Sequence, residues 1–598
     1  MYGYAGKILY IDVEKGTSKP ISVTDDFTHT YLGGNGFGAR ILYDLVPPGA
    51  DPLGPENVLI FAAGPASGTL LHGAGRTHLI TKSPLTGGFM DSSTGKDFAA
   101  ELKYAGYDAL VIQKKAPSPV YIQIFNDDVQ ILPADSLWGL SAIEAQVQVR
   151  KDSGEAYSCM SIGQAGEHAV RYACTISDTR AAGRGGTGAV MGSKNVKLIA
   201  VTGTGSVAVP DMDRFMAFYD ELIPSYRKNL KALTQYGTPI LVNGINTLGG
   251  LGTKNWQKET FDKAEEISGE VYKEQYFKWH TACFACRVGC GKVFACERGL
   301  SEGPEYETLY ALGSCCGIRD PRIIIEADRL CDEYALDTIS MGVSVAFLME
   351  CWEKGLISSP ELSFGDGEGL LEAIHKTAVR EEYGDLLAEG TRLMAQRIGK
   401  DSQRFAIQVK GLEIAGHSPR ALKSMSVGYA TATRGGSHHD SRPTYEYSLE
   451  DKRTLEGKAQ IAVDSSNWTT FGDSLVICHL MEKAVGIFIC DNHVKMVNLV
   501  TGWNWTLEDV VRVSERIYTL ERCFNVREGF TRKDDVLPWR IMHEEIPEGG
   551  SKGCRAAPEE LDVLLDRYYQ LRGWDANGIP SVQTLTELGL EDCIPDIW

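Results

Sequence analysis

Apolar positions change their period part-way along the chain. Over the first 210 or so residues they fall in short runs, KILYIDV, NVLIFAAG, HLITKS, DALVIQ, PVYIQIF and VKLIAV, rich in β-branched and aromatic residues and ended by Gly, Pro or Asp. That spacing predicts strands; only GFGARILYDLV and AIEAQVQVRKDSG carry a helical repeat there. From Pro210 the helical repeat takes over. DRFMAFYDELIPSYRKNLKALTQYG, PRIIIEADRLCDEYALD, the stretch from Val343 to Gly355 and LLEAIHKTAVREEYGDLLAEGTRLMAQRIG place apolar residues three and four apart. KGLEIAGHSP, from Lys410 to Pro419, breaks the pattern, and helix resumes from Leu449. The expected fold class is α+β in three parts: a β-rich base domain over 1–210, then mostly helical domains over 211–417 and 418–598.

Composition narrows the function classes. The 598 residues are 43% hydrophobic and 23% charged, ordinary for a globular protein able to bury a large core. A net charge of −19, from 79 acidic and 60 basic side chains, argues against nucleic acid and against an anionic membrane surface. The N-terminal MYGYAGKILYIDVEKG has neither a basic nor an apolar leader region, and no apolar run approaches membrane-spanning length, so a cytoplasmic location is expected. Fifteen cysteines there read as metal ligands or inert core thiols rather than disulfides.

Three of them, Cys283, Cys286 and Cys290, stand in a C-x2-C-x3-C spacing. Three thiols on one short loop with one distant partner suit a single [4Fe–4S] cluster. Cys296, Cys315, Cys316, Cys478 and Cys490 all qualify as the fourth ligand. Cys478 is preferred because it ends Asp473-Ser-Leu-Val-Ile-Cys478, an echo of Asp332-Glu-Tyr-Ala-Leu-Asp337. The competing reading is a zinc site completed by Cys296 or His280. Just downstream, Glu305 and Glu307 flank Tyr306. Read as a strand with a bulge, this stretch turns only one carboxylate into a pocket, where desolvation would raise its pKa toward neutrality. His438 and His439 form a second proton-transfer candidate. Two glycine-rich loops, one spanning Leu71–Arg76 and Asp91–Gly95, the other Thr179–Lys194, interleave glycines with Arg184 and Lys194 and suit a phosphate-bearing ligand.

AGRGGTGAVMGSKNVKLIAV, the cysteine loop, GPEYET, the paired Asp motifs, ATATRGGSH, LERCFNVREGFTRKDDVLPWR and YYQLRGWDANGIP together resemble the aldehyde ferredoxin oxidoreductase family over nearly the whole chain. The resemblance implies a tungsten (or molybdenum) ion between the dithiolenes of two pyranopterins, a [4Fe–4S] cluster beside it, a β base under both pterins and two helical domains covering them. It assigns the cluster to Cys283, Cys286, Cys290 and Cys478. The pterins go to Asp332 and Asp473, with Leu336, Asp337 and Ile477 in the same turns. Their phosphates go to Arg76 and Ala182-Gly183-Arg184-Gly185, with Mg²⁺ near Ser93 and Ala182. Glu307 and His438 fall at the metal with Tyr306 close by, and Glu326 and His375 at a metal between copies of a homo-oligomer. The implied reaction is oxidation of an aldehyde to a carboxylic acid, with electrons passing to ferredoxin or to an iron–sulfur subunit that works with a flavoprotein. Alternatives are the same cofactors used to reduce a carboxylic acid or an aromatic ring, or a non-enzymatic iron–sulfur or zinc electron-transfer module. Where the family has glycine in the first Asp motif this chain has Ala335; Val476-Ile477 replaces Gly-Leu in the second, and Ser92-Ser93 stands where Asn is usual. The bulkier residues are expected to narrow the space near each pterin.

Overall fold

The computed structural model describes every residue except Ser448 and Glu450. Its first third is a duplication. Strands β1 (Lys7–Asp12), β2 (Thr17–Ser22), β3 (Leu59–Ala62), β4 (Thr77–Lys82), β5 (Phe89–Thr94) and β6 (Ala109–Gln113) form one sheet in the order β2-β1-β6-β3-β4-β5. Strands β7 (Val120–Phe125), β8 (Asp128–Pro133), β9 (Ser158–Ser161), β10 (Thr175–Ser177), β11 (Arg180–Ala182) and β12 (Val196–Thr202) form a second, β8-β7-β12-β9-β10-β11. Stepping six strands along the chain maps one order onto the other. Pairing agrees as well: β1 with β6 and β7 with β12 are parallel, and every other pair is antiparallel. Helices Gly34–Leu45 and Ala142–Ser153 occupy equivalent crossings, as do Phe98–Tyr104 and Thr187–Ser193. The predicted strands all form. Those at the sheet centre, such as β3 and β4, are buried along their whole length, which is why they read as unbroken apolar runs. The edge strand β2 is exposed throughout and carries Lys19 and Pro20, which discourage further pairing. The two sheets meet at β5 and β11, where the Thr94 hydroxyl donates to the Arg180 carbonyl at 2.9 Å.

Each repeat receives the end of one helix from the later chain. The helix Pro321–Tyr334 ends on Ala335 (φ 59°, ψ 61°) and Lys458–Leu475 ends on Val476 (φ 64°, ψ 61°). Both left-handed residues lie three places after the echoed aspartates, so the echo is a shared turn. Glycine would adopt it freely; a β-branched valine there costs on the order of 1–3 kcal/mol. Both replacements pack against the base. Val476 Cγ2 packs against Gly34, and Ala335 packs with Ala142, Cys174 and Ile176 of the second repeat.

In the helical remainder, the stretch expected as one long helix breaks into Gly367–Val379, Gly384–Leu387 and Thr391–Ile398, because Arg380 and Gly390 take positive φ. The segment Lys410–Pro419 holds the turn and second strand of a short hairpin, Gln408–Val409 with Leu412–Glu413, followed by an extended run into the molecule's interior. One apolar core spans it, joining Val242 and Ile324 to Tyr429 and Tyr568. Among the described residues no helix is long and apolar enough to cross a membrane.

The helix ends reach the base because glycine stands at equivalent places after β3 and β9. A Cβ at Gly64 would lie 2.5 Å from the Leu475 carbonyl oxygen, and one at Gly163 2.5 Å from that of Tyr334. Gly64→Ala and Gly163→Ala should each cost about 1–3 kcal/mol and lower the melting temperature in scanning calorimetry. Gly244→Ala, with nothing within 4 Å of its Cβ, should be neutral or stabilising.

Candidate functional site

The cysteine loop joins β13 (Phe277–Thr281) to β14 (Gly291–Cys296), and the Cys286 amide closes it onto the Cys283 carbonyl at 3.1 Å. Cys478, nearly 200 positions later in sequence, follows directly on the Val476 turn, and its amide donates to the Gly73 carbonyl at 2.9 Å. The Leu71–Arg76 loop lies between them: a Cβ at Gly73 would sit 3.2 Å from the Cys478 amide, and one at Gly75 2.9 Å from Cys283 Cβ. Burial pushes the Cys290 and Cys478 thiols up, and the charges of the neighbouring cysteines of the set add to it. Cys286 feels Cys478 and Cys283 in the same way. The other proposed fourth ligands point elsewhere. Cys315 and Cys316 are fully buried, the latter against the Ala311 and Gly342 carbonyls; Cys490 meets His493 Nδ1 at 3.3 Å; Cys296 pairs across to Gly299. Tetrahedral zinc needs thiolates about 3.8 Å apart. Among the described residues, the sets whose ligand atoms lie within 4.8 Å of one another do not include these four thiols. The wider spacing suits an inorganic cluster, whose positive iron would favour the thiolates that burial now disfavours.

The two aspartate turns face different surroundings. Around the second, the Asp473 carboxylate meets His479 Nε2 at 2.6 Å, Arg434 Nη2 at 3.0 Å and His78 Nε2 at 3.4 Å. Burial pushes the Asp473 carboxyl up, but His479, His78 and Arg434 together hold it well below the usual carboxylate range. Arg434 also faces Asp91 at 2.9 Å and Asp440 at 3.3 Å. Yet both ring nitrogens of His78, both oxygens of Asp91 and Nδ1 of His479 are buried without a hydrogen bond. Around the first turn, burial raises the Asp332 and Asp337 carboxyls. Asp337 caps the next helix through the Ile339 amide (2.9 Å) and Ser340 hydroxyl (2.8 Å) and pairs with Arg184 Nε at 3.2 Å. Leu336 and Ile477 donate their amides back to the Cys331 and Gly472 carbonyls, holding each turn closed. Arg184 also donates to the Glu413 carbonyl, but its Nε and Nη1 lack hydrogen bonds. Buried polar groups usually make hydrogen bonds, so these two sets, held by ion pairs but short of hydrogen bonds, have capacity for further polar partners.

The glycine loops converge between these clusters. Arg76 donates to Ser93 Oγ at 2.5 Å, and the Arg184 amide, in Ala182-Gly183-Arg184-Gly185, donates to Ser92 Oγ at 3.2 Å. Lys194 does not join them. It is buried with Nζ on the Asn57 and Lys114 carbonyls, and burial lowers it to about 7, so it braces the base instead of meeting a phosphate.

GPEYET starts a helix, Tyr306–Thr308, and is not the strand and bulge its alternation suggested. The division of labour still holds, because neighbours on a helix start also diverge. Glu305 turns to Arg180 and Thr238, while Glu307 turns inward. Glu307 Oε2 accepts from the Gly416 amide at 2.7 Å; Oε1 faces His417 Nε2 at 3.3 Å and His438 Nε2 at 3.8 Å. Burial pushes its carboxyl up to about 7. Burial lowers His417 to about 3, and burial with the charges of His417 and Arg442 holds His438 well below its ordinary value, so both rings are neutral at pH 7. The Tyr447 hydroxyl lies 2.6 Å from His417 Nδ1. Tyr306 backs the group, its hydroxyl on the Gly416 carbonyl and its ring 5.3 Å from His417. His439 lies between His438 (4.6 Å) and His479 (5.8 Å), linking the carboxyl group to the Asp473 cluster. His417, Gly416 and Tyr447 were missed in the sequence; the only available signal was a histidine after glycine in the segment that broke the helical pattern. Glu326 is engaged by Arg329 at 2.7 Å and His375 by Tyr334 at 2.8 Å.

A family model described as the N-terminal domain of aldehyde ferredoxin oxidoreductase matches residues 8–203, and one for its domains 2 and 3 matches 216–590. The chain is 40% identical to the tungsten-containing aldehyde ferredoxin oxidoreductase of Pyrococcus abyssi, over 99% of this chain and 100% of that one. It is 31% identical to the WOR-like subunit of an aliphatic sulfonate oxidoreductase from Pyrococcus furiosus, over 99% and 97% of the two chains. Among solved structures, the active site complex BamBC of benzoyl coenzyme A reductase, with bound 1,5-dienoyl-CoA, superposes with a TM-score of 0.87 at 27% identity, covering 99% of this chain and 98% of that one.

The thiol geometry yields a metal test. Wild-type protein should carry about four irons per chain. Cys478→Ser should lose most of that iron and its visible absorption, whereas Cys296→Ser and Cys490→Ser should retain both; elemental analysis with absorption spectra checks this.

Proposed function

This chain belongs to the aldehyde ferredoxin oxidoreductase family, and we propose that it is a cytoplasmic enzyme oxidising an aldehyde and water to a carboxylic acid, two protons and two electrons. The observation that carries the reading is the Glu307 carboxyl, poised at about 7 between two neutral imidazoles at 3.3 and 3.8 Å. A base poised near the working pH combines the needed protonation state with driving force.

In this reading Cys283, Cys286, Cys290 and Cys478 hold the [4Fe–4S] cluster, and the Asp332–Asp337 and Asp473–Ile477 turns hold the two pterins. The hydrogen-bonding capacity left on His78, Asp91 and Arg184 would fit their polar edges. Arg76 and Ala182–Gly185 take the phosphates. Mg²⁺ would sit near Ser93 and Ala182, where Arg76 now donates to both the hydroxyl and the carbonyl of Ser93. The bound bis-pyranopterin tungsten centre supplies a two-electron acceptor and the cluster a one-electron relay to ferredoxin or an iron–sulfur subunit.

The protein's own residues manage the protons. Glu307 Oε1 takes a proton from water as the new carbon–oxygen bond forms. His438, neutral and carrying its proton on Nε2, donates a hydrogen bond to the oxygen that gains charge. Glu307 then passes its proton to His417 Nε2 as His417 gives its Nδ1 proton to the oxygen of the half-buried Tyr447, which releases its own hydroxyl proton to solvent. A second reading, reduction of an acid or an activated ring with the same cofactors, draws support from the structural likeness to a benzoyl coenzyme A reductase.

Glu307→Gln should lower kcat/KM for aldehydes by at least about 10²-fold with iron and tungsten content intact. Wild-type kcat/KM should climb as pH rises through about 7, because the carboxyl must ionise to act, and Glu307→Gln should remove that limb. Retained aldehyde turnover in Glu307→Gln, or ring reduction without aldehyde oxidation, would overturn the reading. Tyr447→Phe should lower kcat roughly tenfold and enlarge the solvent deuterium isotope effect while leaving KM and the pH limb in place.

A further inference from the structure

The cysteine hairpin forms one wall of a concavity of about 600 Å³. The helix Met212–Asn229 and its continuation Lys231–Tyr236 supply the opposite wall, and Lys273 and His280 the rim. Four cations line it: Arg227, Lys231, Lys273 and Arg287, the last lying within the cysteine loop itself. No carboxylate lines it among the described residues, and none of the four cations has a carboxylate within the 4.0 Å ion-pair distance there. In a chain of 79 acids and 60 bases, unpaired cations gathered in one hollow are not what random solvation of a surface leaves. On the nearby helix face Lys495 finds Glu221 at 3.4 Å. Arg287 is held in place by the Tyr219 hydroxyl and ring, with no acid involved.

The floor of the hollow is aromatic and thin. His72 stacks 4.0 Å from Tyr219 and lies 4.4 Å from Tyr226. His72 is 2% and Tyr226 6% exposed, yet His72 Nε2 and the Tyr226 hydroxyl have no hydrogen-bond partner. Arg287 and Val288, which line the hollow, lie between Cys286 and Cys290 in the chain, so the hollow abuts the thiol loop itself. Trp279, 51% exposed, stands on the strand that leads into the cysteine loop and supplies the kind of aromatic anchor that interfaces favour.

We propose that this hollow is the docking surface for a small acidic electron-carrier protein, whose carboxylates meet Arg227, Lys231, Lys273 and Arg287 and whose redox centre comes to rest above Tyr226. The inference deepens the reading that electrons leave through the Cys283–Cys478 thiol set and rests on it. A free small anion fits less well. Three of the four cations sit exposed on separate elements around an open hollow, and no glycine loop offers backbone amides there. Each docking transfers one electron from this chain to the carrier's oxidised cluster, so two dockings match the two electrons released per aldehyde.

The test uses the metal-loaded protein, a purified acidic two-cluster ferredoxin and benzyl viologen as a small cationic acceptor. In the double variant Lys231→Glu/Lys273→Glu, KM for ferredoxin should rise at least tenfold and its dependence on salt should flatten. The viologen rate and iron content should stay at wild-type values. An unchanged ferredoxin KM overturns the proposal. So does a parallel fall of both rates, competition by micromolar pyrophosphate at an unmoved ferredoxin KM, or loss of a dimer in sedimentation of the variant. Should no aldehyde be oxidised at all, calorimetric titration of the holoprotein with the same ferredoxin still decides: tight binding at low salt, lost in the double variant, keeps the docking surface while the proposed reaction fails.

Discussion

Everything in this molecule depends on how closely two helix ends approach the duplicated base. Backbone meets backbone at Gly64 with Leu475 and at Gly163 with Tyr334, at distances where no Cβ fits. That contact fixes where the turns after Asp332 and Asp473 stand, and hence where Cys478 and the unpaired polar groups point. Packed interiors do not deform gradually, so an error of one methyl group at either contact propagates to the whole site. The duplication supplies the symmetry: two copies of one sheet receive two copies of one turn, a natural cradle for two copies of one ligand.

Buried polar groups short of hydrogen bonds are costly, and among those of this chain are two sets beside the aspartate turns. His78 and Asp91 lie near Asp473, and Arg184, ion-paired with Asp337 but without hydrogen bonds at Nε and Nη1, lies at the other turn. A fold tolerates such groups when a ligand completes them, and the binding energy of that ligand offsets the cost of holding them ready. The same desolvation does chemical work at Glu307. It brings a carboxyl to about 7 and strips protons from His417 and His438, so that acid–base roles are set before any substrate arrives. In the proposed reaction protons would leave through His417 and Tyr447 and electrons through the thiol loop, by separate routes.

The departures from the family pattern are absorbed by the scaffold. Val476 takes a conformation that favours glycine, and its methyl settles into the gap left by Gly34. Lys194, which belongs by sequence to a phosphate-binding stretch, is turned into the base by the Asn57 and Lys114 carbonyls.

Taken alone, the sequence determined what is local. Strand and helix periods, the three-thiol spacing, the echoed aspartates and the opposed directions of Glu305 and Glu307 follow from residues a few places apart, where backbone geometry leaves few choices. Tertiary structure decided what depends on partners far along the chain. It showed that the β-rich third is one unit folded twice, a relation of strand pairing that leaves little trace in side-chain pattern. It brought Cys478 to the Cys283 loop and carried Cys315, Cys316 and Cys490 away. It also placed His417 and Tyr447, from a stretch that looked like a mere break, beside Glu307. Burial sets these contacts and the protonation states that go with them, and burial belongs to the packed whole, not to any one segment.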